Sequence, residues 1–379
     1  MTTMALSPKG VLTMALTLAS AAWLTACAAS PAPTPALSSA SASSSSSSSS
    51  PSSPGATRSD ASPRAGVASV NAAEPADDGI DYGFPVKRFP LELEGQQVTM
   101  AYLDVPPTAA PNGKSVVLLH GKNFGGYYFR RVIESLREGG YRVIVPDQIG
   151  FGKSSRPVIA YSFHGLANNT KLLLESLGIS RAAMFGHSMG GMLAIRYALS
   201  YPERVSELIL EDPIGLEDYR TFVPYTTVDQ KLKAELATTA DSIRKYFQTS
   251  YFPQWKPDYD ALVDAVSAYT KRPDFSQSAK VAALTTEMIY MQPVQYELDR
   301  IRVPTLLFVG TADRTIVGKA LLKPDVIAEH GRYDRLGKET ARKIPGSKLV
   351  ELPGIGHIPH IEDFDRFNTE LRAFLAARR

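Results

Sequence analysis

Cysteine is almost absent: Cys27 is the single one among 379 residues. One thiol makes no intrachain disulfide, and no Cys and His set has zinc-ligand spacing, so a disulfide framework and a Cys-based metal site are both excluded. An excess of one charge is lacking too. The 41 Lys and Arg stand against 38 Asp and Glu, a formal +3, which offers no basic stripe to a nucleic acid. The apolar run near the N-terminus, Val11 to Leu24, has about fourteen residues where a membrane span needs about twenty. What is present is ordinary. Hydrophobic residues make up 44% and charged residues 21%, which excludes a wholly disordered or collagen-like chain and fits one large domain with additions, or two modest ones.

Residues 1 to 10 carry one Lys and no acid, and the apolar run follows at once, the order of a secretory signal. The run closes with Leu24-Thr25-Ala26-Cys27, which resembles the lipobox of bacterial lipoproteins. That resemblance implies a signal peptide over 1–26, cleavage before Cys27, acylation of that cysteine with palmitate-type chains, and a membrane partner reached through the lipid. It places the protein in a bacterial cell envelope. Ala28 stands where an inner-membrane retention signal has Asp, so in a Gram-negative cell the outer membrane facing the periplasm is expected, with the leaflet open. Two other readings remain: an ordinary secretory peptide cut near Ala26 to Ala29, giving a secreted or periplasmic protein, and an intracellular protein with a chance apolar start. From 27 to 79 the chain is rich in Ala, Ser and Pro, with an unbroken Ser43 to Ser50. Nothing there offsets the entropy of ordering the backbone; a flexible coil of roughly fifty residues reaches about 40 Å. It reads as a disordered tether.

Beyond Tyr82, short apolar runs bounded by Gly, Pro or Asp alternate with helical patterns, the signature of a mostly parallel sheet with helices on both faces. Val86 to Leu93 and Val98 to Val105 read as an opening hairpin. Ser115 to Leu119, Tyr141 to Pro146, Ala182 to Phe185, Glu207 to Leu210, Pro304 to Val309 and Lys348 to Leu352 read as buried strands, eight in all. Helical spacing appears over Tyr127 to Glu138, Phe163 to Leu177, Met189 to Ser200 and Arg366 to Ala377. About ninety residues separate Leu210 from Pro304, too many for a loop in a compact domain. They hold helical pieces with many aromatics, including Tyr219, Phe222, Tyr225, Tyr246, Phe247, Tyr251, Phe252, Trp255 and Tyr259. The reading is a helical cap over 216–299 inserted into a core of 80–215 and 300–379.

At the end of the fifth strand stands Gly186-His187-Ser188-Met189-Gly190-Gly191, followed at once by a helical run. The pentapeptide G-x-S-x-G is weak evidence alone; its strand-turn-helix setting strengthens it. A nucleophile on a sharp, strained turn needs glycines on either side so that strand and helix approach without a Cβ clash. Upstream, the third strand runs into His120-Gly121-Lys122-Asn123-Phe124-Gly125-Gly126, where a loop of oxyanion donors belongs. One such donor is worth about 3 to 4 kcal/mol. The expected donors are the backbone N–H groups of Lys122 and Met189, and His120 is read as a brace for the loop.

The order His-Gly-x-x after the third strand, Asp147-Gln148-Ile149-Gly150-Phe151-Gly152-Lys153-Ser154 after the fourth, Gly-His-Ser-Met-Gly-Gly after the fifth, Gly310-Thr311-Ala312-Asp313 after the seventh and Gly354-Ile355-Gly356-His357 after the eighth resembles the α/β-hydrolase fold. It covers nearly all of 84–379 and is similar to the capped esterase and epoxide-hydrolase-like branch. Epoxide hydrolases and haloalkane dehalogenases of that branch carry Asp where Ser188 stands, so those two activities are disfavoured.

A serine at neutral pH needs a base, and the base needs a third group to hold it. By position and by resemblance His357 is the base, with His360 three residues on as a competitor; His164 and His330 are read as surface or packing residues. Asp313 gives the chain order Ser, Asp, His, and Asp212, after the sixth strand, is the alternative acid. Asp147 matches a loop-structuring position. The constellation implies acyl transfer to water with no metal and no cofactor, on a small-molecule ester-like substrate and no nucleic acid. On the same triad a proline-iminopeptidase-like enzyme, a carbon–carbon bond hydrolase, a lactonase or a perhydrolase stays open, and so does a non-catalytic small-molecule-binding lipoprotein. The peptidase would need cap carboxylates for a substrate ammonium, with Glu287 and Glu297 as candidates. The cap aromatics, with Met288, Tyr290 and Met291, either line a substrate pocket or form the cap's own core. Substrate identity and oligomeric state are not legible.

Overall fold

A computed structural model describes residues 70–71 and 79–377. The readings placed on 1–69, the lipobox and Cys27 among them, lie outside the described residues.

The eight expected strands all form: β1 Val86–Leu93, β2 Gln96–Val105, β3 Ser115–Leu119, β4 Arg142–Pro146, β5 Ala182–His187, β6 Val205–Glu211, β7 Thr305–Gly310 and β8 Lys348–Leu352. They lie in the order β1-β2-β4-β3-β5-β6-β7-β8. The pairings of β2 with β1 and with β4 are antiparallel, and every later pairing is parallel. Val70–Asn71 adds a two-residue parallel pairing to Gln96 and Gln97.

The central strands are apolar throughout because both faces are covered. In β3, Val117 and Leu119 join one core cluster while Val116 and Leu118 join the other; Met184 and Phe185 of β5, and Leu307 and Phe308 of β7, divide in the same way. This is the two-residue period of a strand applied to two cores. Helices α1 Arg130–Glu138 and α11 Phe364–Ala376 fill the second cluster through Val132, Ile133, Leu136, Phe367 and Leu371. Helices α2 Phe163–Ser176 and α3 Met189–Ser200 pack together in the first cluster.

Between β6 and β7 the chain forms α4 Val228–Leu236, α5 Ala240–Tyr246, α6 Asp260–Ala268 and α7 Phe275–Met291. Side-chain capping boxes at Thr227 and Thr239 start α4 and α5. A five-residue π-helical turn, Phe247–Tyr251, continues α5. Between β7 and β8 lie α8 Pro324–Glu329 and α9 Tyr333–Lys343, and after β8 the short α10 Pro359–Glu362. Among the described residues no helix is long and apolar enough to cross a membrane.

Candidate active site

The parallel strands bring their C-terminal ends to one edge, and the residues singled out in the sequence sit on the loops that leave it. Ser188 falls between β5 and α3 at φ 56°, ψ −119°, a backbone conformation that L-residues rarely adopt and that surrounding contacts must enforce. The enforcement is visible. Ser188 N donates to Glu211 O at 3.0 Å, and Gly191 N donates to Ser188 O at 2.9 Å. A methyl group on Gly190 would lie 2.0 Å from Leu119 O, so only glycine lets α3 pack this close to the end of β3. The side chain of Ser188 opens into a cavity of about 330 Å³.

The oxyanion-type loop passes directly beside it: a methyl on Gly121 would lie 3.2 Å from Ser188 Cβ. Met189 opens α3, where a first-turn N–H has no intrahelical acceptor, and the Lys122 amide has no acceptor among the described residues. His120 is fully buried and braces the loop. Its Nε2 accepts from Gln148 N at 3.0 Å, so its Nδ1–H donates to Gly121 O at 2.8 Å. Burial depresses its pKa, against the nearby Asp147, so it serves as a neutral strut. Asp147 gathers three donors, Tyr82 Oη at 2.7 Å, Gly126 N at 2.7 Å and Lys153 N at 2.8 Å, which ties the segment before β1 to the loops that follow β3 and β4.

His357 and Asp313 meet with no solvent exposure: Nδ1 lies 2.6 Å from Asp313 Oδ2, while Asp313 Oδ1 accepts from Thr315 N at 2.8 Å. Asp212 does not reach the histidine. It sits at φ 38°, and its carboxyl oxygens accept from Gly310 N at 3.0 and 3.2 Å. Burial first, then the nearby Asp313 and Glu211, push its pKa well above the ordinary carboxylate value. His357 Nε2 is buried and makes no hydrogen bond, to Ser188 or otherwise, among the described residues. Bonds of this kind often tighten only when substrate is bound. The competitor His360 faces away into a buried pair, with Nδ1 2.8 Å from Glu211 Oε2. His330 pairs with Glu217 and stacks on Phe222, and His164 is exposed. Among the described residues no group of three His, Cys, Asp or Glu side chains is arranged to hold a metal ion.

Three contributions were not legible in the sequence. Tyr251, on the π-helical turn, accepts His357 N at its carbonyl (2.8 Å), accepts Asn123 Nδ2 at its hydroxyl (2.8 Å), and stacks on the His357 ring at 4.5 Å. The segment between β6 and β7 thereby touches both the His357 loop and the loop after β3, and π-helical turns are frequent at functional sites. Lys122 Nζ, on the same loop, meets Glu235 Oε1 of α4 at 3.0 Å. Tyr128 and His187 form a buried contact at 2.9 Å beneath the elbow. Only the aromatic richness of the insert and the His in Gly-His-Ser hinted at any of these.

Two groups stand out among the aromatics of the insert. Tyr246, Phe247 and Tyr251 line the cavity, whereas Phe252, Trp255 and Tyr259 pack on one another, with Phe252 and Tyr259 stacked at 3.9 Å. Met288, Tyr290 and Met291 do not line it. Met288 is buried, Tyr290 Oη donates to Val223 O, and Met291 is half exposed. Glu287 is taken by Lys231 at 2.8 Å, and Glu297 by Arg196 and Arg300. Neither is free to hold a substrate ammonium.

A solved structure of a probable hydrolytic enzyme from Pseudomonas aeruginosa PAO1 superposes with a TM-score of 0.77 at 46% identity, over 78% of this chain and 96% of that one. A 2-hydroxy-6-oxo-6-phenylhexa-2,4-dienoate hydrolase of Comamonas testosteroni is 31% identical over 71% of this chain and 90% of its own. Lipase 1 of Psychrobacter immobilis is 28% identical over 69% of this chain and 77% of its own. The family described as alpha/beta hydrolase fold matches residues 114–364, and the chain belongs to that family of hydrolases.

Proposed function

We propose that this hydrolase cleaves carboxylic esters through an acyl-enzyme on Ser188. The observation that carries the reading is Ser188 itself, held at a positive φ and opening into the cavity, a strain that a merely structural serine has no need of. His357 Nε2 takes the Ser188 proton as Oγ attacks the acyl carbon. Asp313 keeps the imidazole proton on Nδ1 and stabilises the imidazolium that forms. The N–H groups of Lys122 and Met189 receive the oxyanion. The imidazolium returns its proton to the leaving alcohol, and water then repeats the cycle on the acyl-enzyme.

The cavity's charge favours an ester over the carbon–carbon cleavage suggested by the Comamonas relative, whose named substrate is a carboxylate. Both cations that line it are committed. Lys122 pairs with Glu235, and Lys319 Nζ donates to Thr249 O, Arg314 O and Ser250 Oγ. An anionic substrate would have to displace one of them, whereas a neutral ester meets Ile243, Phe247, Val266, Ile316 and Val317 with the hydroxyls of Thr238, Ser242 and Thr286. The substrate class we infer is a neutral small-molecule ester. On the strength of Leu24 to Cys27, we also propose that the mature protein is a bacterial lipoprotein tethered to the cell envelope.

Treatment of the full chain with a fluorophosphonate tests the chemistry. One covalent adduct by intact mass, lost in Ser188→Ala, is the expected result. An adduct retained in Ser188→Ala, or no adduct in the folded parent, would refute the assignment.

A further inference from the structure

His187 and Tyr128 are buried polar residues that the chemistry above does not use, and together they join three separate loops. The acceptor and donor roles follow from elimination. The carbonyl of His357 can only accept, so the ring nitrogen 2.8 Å from it, His187 Nε2, carries a proton. Burial, reinforced by the neighbouring His357 and His360 rings, holds the His187 pKa well below the ordinary imidazole value; the ring is neutral, and Nδ1 has no proton. Nδ1 therefore accepts, at 2.9 Å, from the hydroxyl of Tyr128. That hydroxyl, itself protonated because burial raises its pKa well above the usual phenol range, accepts in turn from Gly121 N at 2.9 Å. The sequence of bonds runs from Gly121 N–H to Tyr128 Oη–H to His187 Nδ1, and from His187 Nε2–H to His357 O.

Each end of this chain is one atom group away from a reacting position. The Gly121 amide neighbours the Gly121–Lys122 peptide, whose N–H is the assigned oxyanion donor. The His357 carbonyl belongs to the residue whose imidazole is the assigned base, and its amide is already held from the other side by Tyr251 O. The middle of the chain is the residue immediately before Ser188. The Tyr128 ring is fixed independently of its hydroxyl, stacked on Phe124 at 4.5 Å and 10° and edge-on to His360 at 5.0 Å.

We infer that Tyr128 and His187 are positioning residues, a neutral hydrogen-bond relay that holds oxyanion donor, nucleophile and base in mutual register. The inference rests on the proposed serine-hydrolase reading. A relay of this kind acts on the transition state rather than on substrate affinity, because small misplacements of reacting groups cost rate steeply, on the order of a hundredfold for about 1 Å. It also explains why the turn carries a histidine: a side chain that accepts at one edge and donates at the other is needed to bridge a hydroxyl and a carbonyl.

The test uses the full chain and Tyr128→Phe, which keeps the stacked ring and removes only the hydroxyl. With p-nitrophenyl butyrate as probe, kcat should fall about tenfold or more while KM stays within about twofold, and fluorophosphonate labelling should slow in parallel. A second readout is independent of turnover. Nitrogen NMR of isotope-labelled histidine, with His187→Gln to identify the signals, should show His187 at neutral pH with the proton on Nε2. In Tyr128→Phe its Nδ1 signal should move toward that of a ring nitrogen without a hydrogen bond. A folded Tyr128→Phe with unchanged kcat and labelling rate, or a His187 proton found on Nδ1, would overturn the relay. Absence of labelling in the parent would instead overturn the serine-hydrolase reading, so the two failures are told apart.

Discussion

Replacing Asp313 by Asn separates the two candidate acids, and the structure sets the size of the effect. Both oxygens of Asp313 accept: Oδ1 from Thr315 N at 2.8 Å and Oδ2 from His357 Nδ1 at 2.6 Å. An amide of the same shape has one acceptor. The Thr315 amide is a fixed, buried donor and claims it, so the amide nitrogen is left facing His357 Nδ1. That forces the proton of a neutral His357 onto Nε2, where it cannot take the serine proton. A change of tautomer of this kind costs about 10⁴ in kcat, or about 5.5 kcal/mol of transition-state stabilisation. Asp212 behaves differently. Its carboxyl accepts from Gly310 N and does not reach His357, a role that an Asn carbonyl fills, so Asp212→Asn should change kcat by about threefold or less. The assay is steady-state hydrolysis of a p-nitrophenyl ester by both variants, with thermal denaturation to confirm folding. If Asp313→Asn keeps more than about a tenth of the parent rate, or if Asp212→Asn is the variant that dies, the assignment of the acid is wrong.

Two further outcomes follow from other parts of the chain. Glu362 Oε1 accepts from Gly356 N of the base loop at 2.8 Å, and burial raises its pKa from the ordinary 4.5 to about 8. Its protonated form therefore contributes stability that is fully present below about pH 4.5 and is lost as pH rises through about 8. Glu362→Gln should lose less stability than the parent over that window, read by denaturant titration at several pH values; parallel curves for the two proteins would contradict the argument. At the other end, Cys27→Ser should leave the protein without lipid, and mass spectrometry finding the N-terminal segment equally unmodified in both proteins would reject the lipoprotein proposal.

All eight strands were readable because each is a short apolar run closed by Gly, Pro or Asp, and strands covered on both faces need no alternation to be seen. Helix α9 was not among the expected elements. Its sequence, Tyr333 to Lys343, is mostly charged, and it packs through few buried positions, one of them Gly337, where a methyl would lie 2.8 Å from Val309 Cγ2. Contact through a glycine leaves no hydrophobic period to read. The helices of the insert were foreseen as a class but not individually, since length and aromatic content mark an insertion without giving its packing.

The candidate site shows the same division. Gly186 to Gly191 is a local motif whose glycines follow from the close approach of strand and helix, so the strained turn that holds Ser188 was readable in the sequence. The positions of His357 and Asp313 were legible too, because each follows a recognisable strand and all parallel strands end at one edge. Which of Asp313 and Asp212 meets the histidine was a tertiary matter: both follow buried strands, and only the turn into Thr315 and the opposing Gly310 amide decide which carboxyl reaches His357 Nδ1. The contacts of Tyr128, His187, Tyr251 and Glu235 belong to the tertiary structure. Apart from Gly121, which Tyr128 meets seven residues away, their partners lie tens to more than a hundred residues along the chain, and a hydrogen bond between loops leaves no periodicity in the sequence of either.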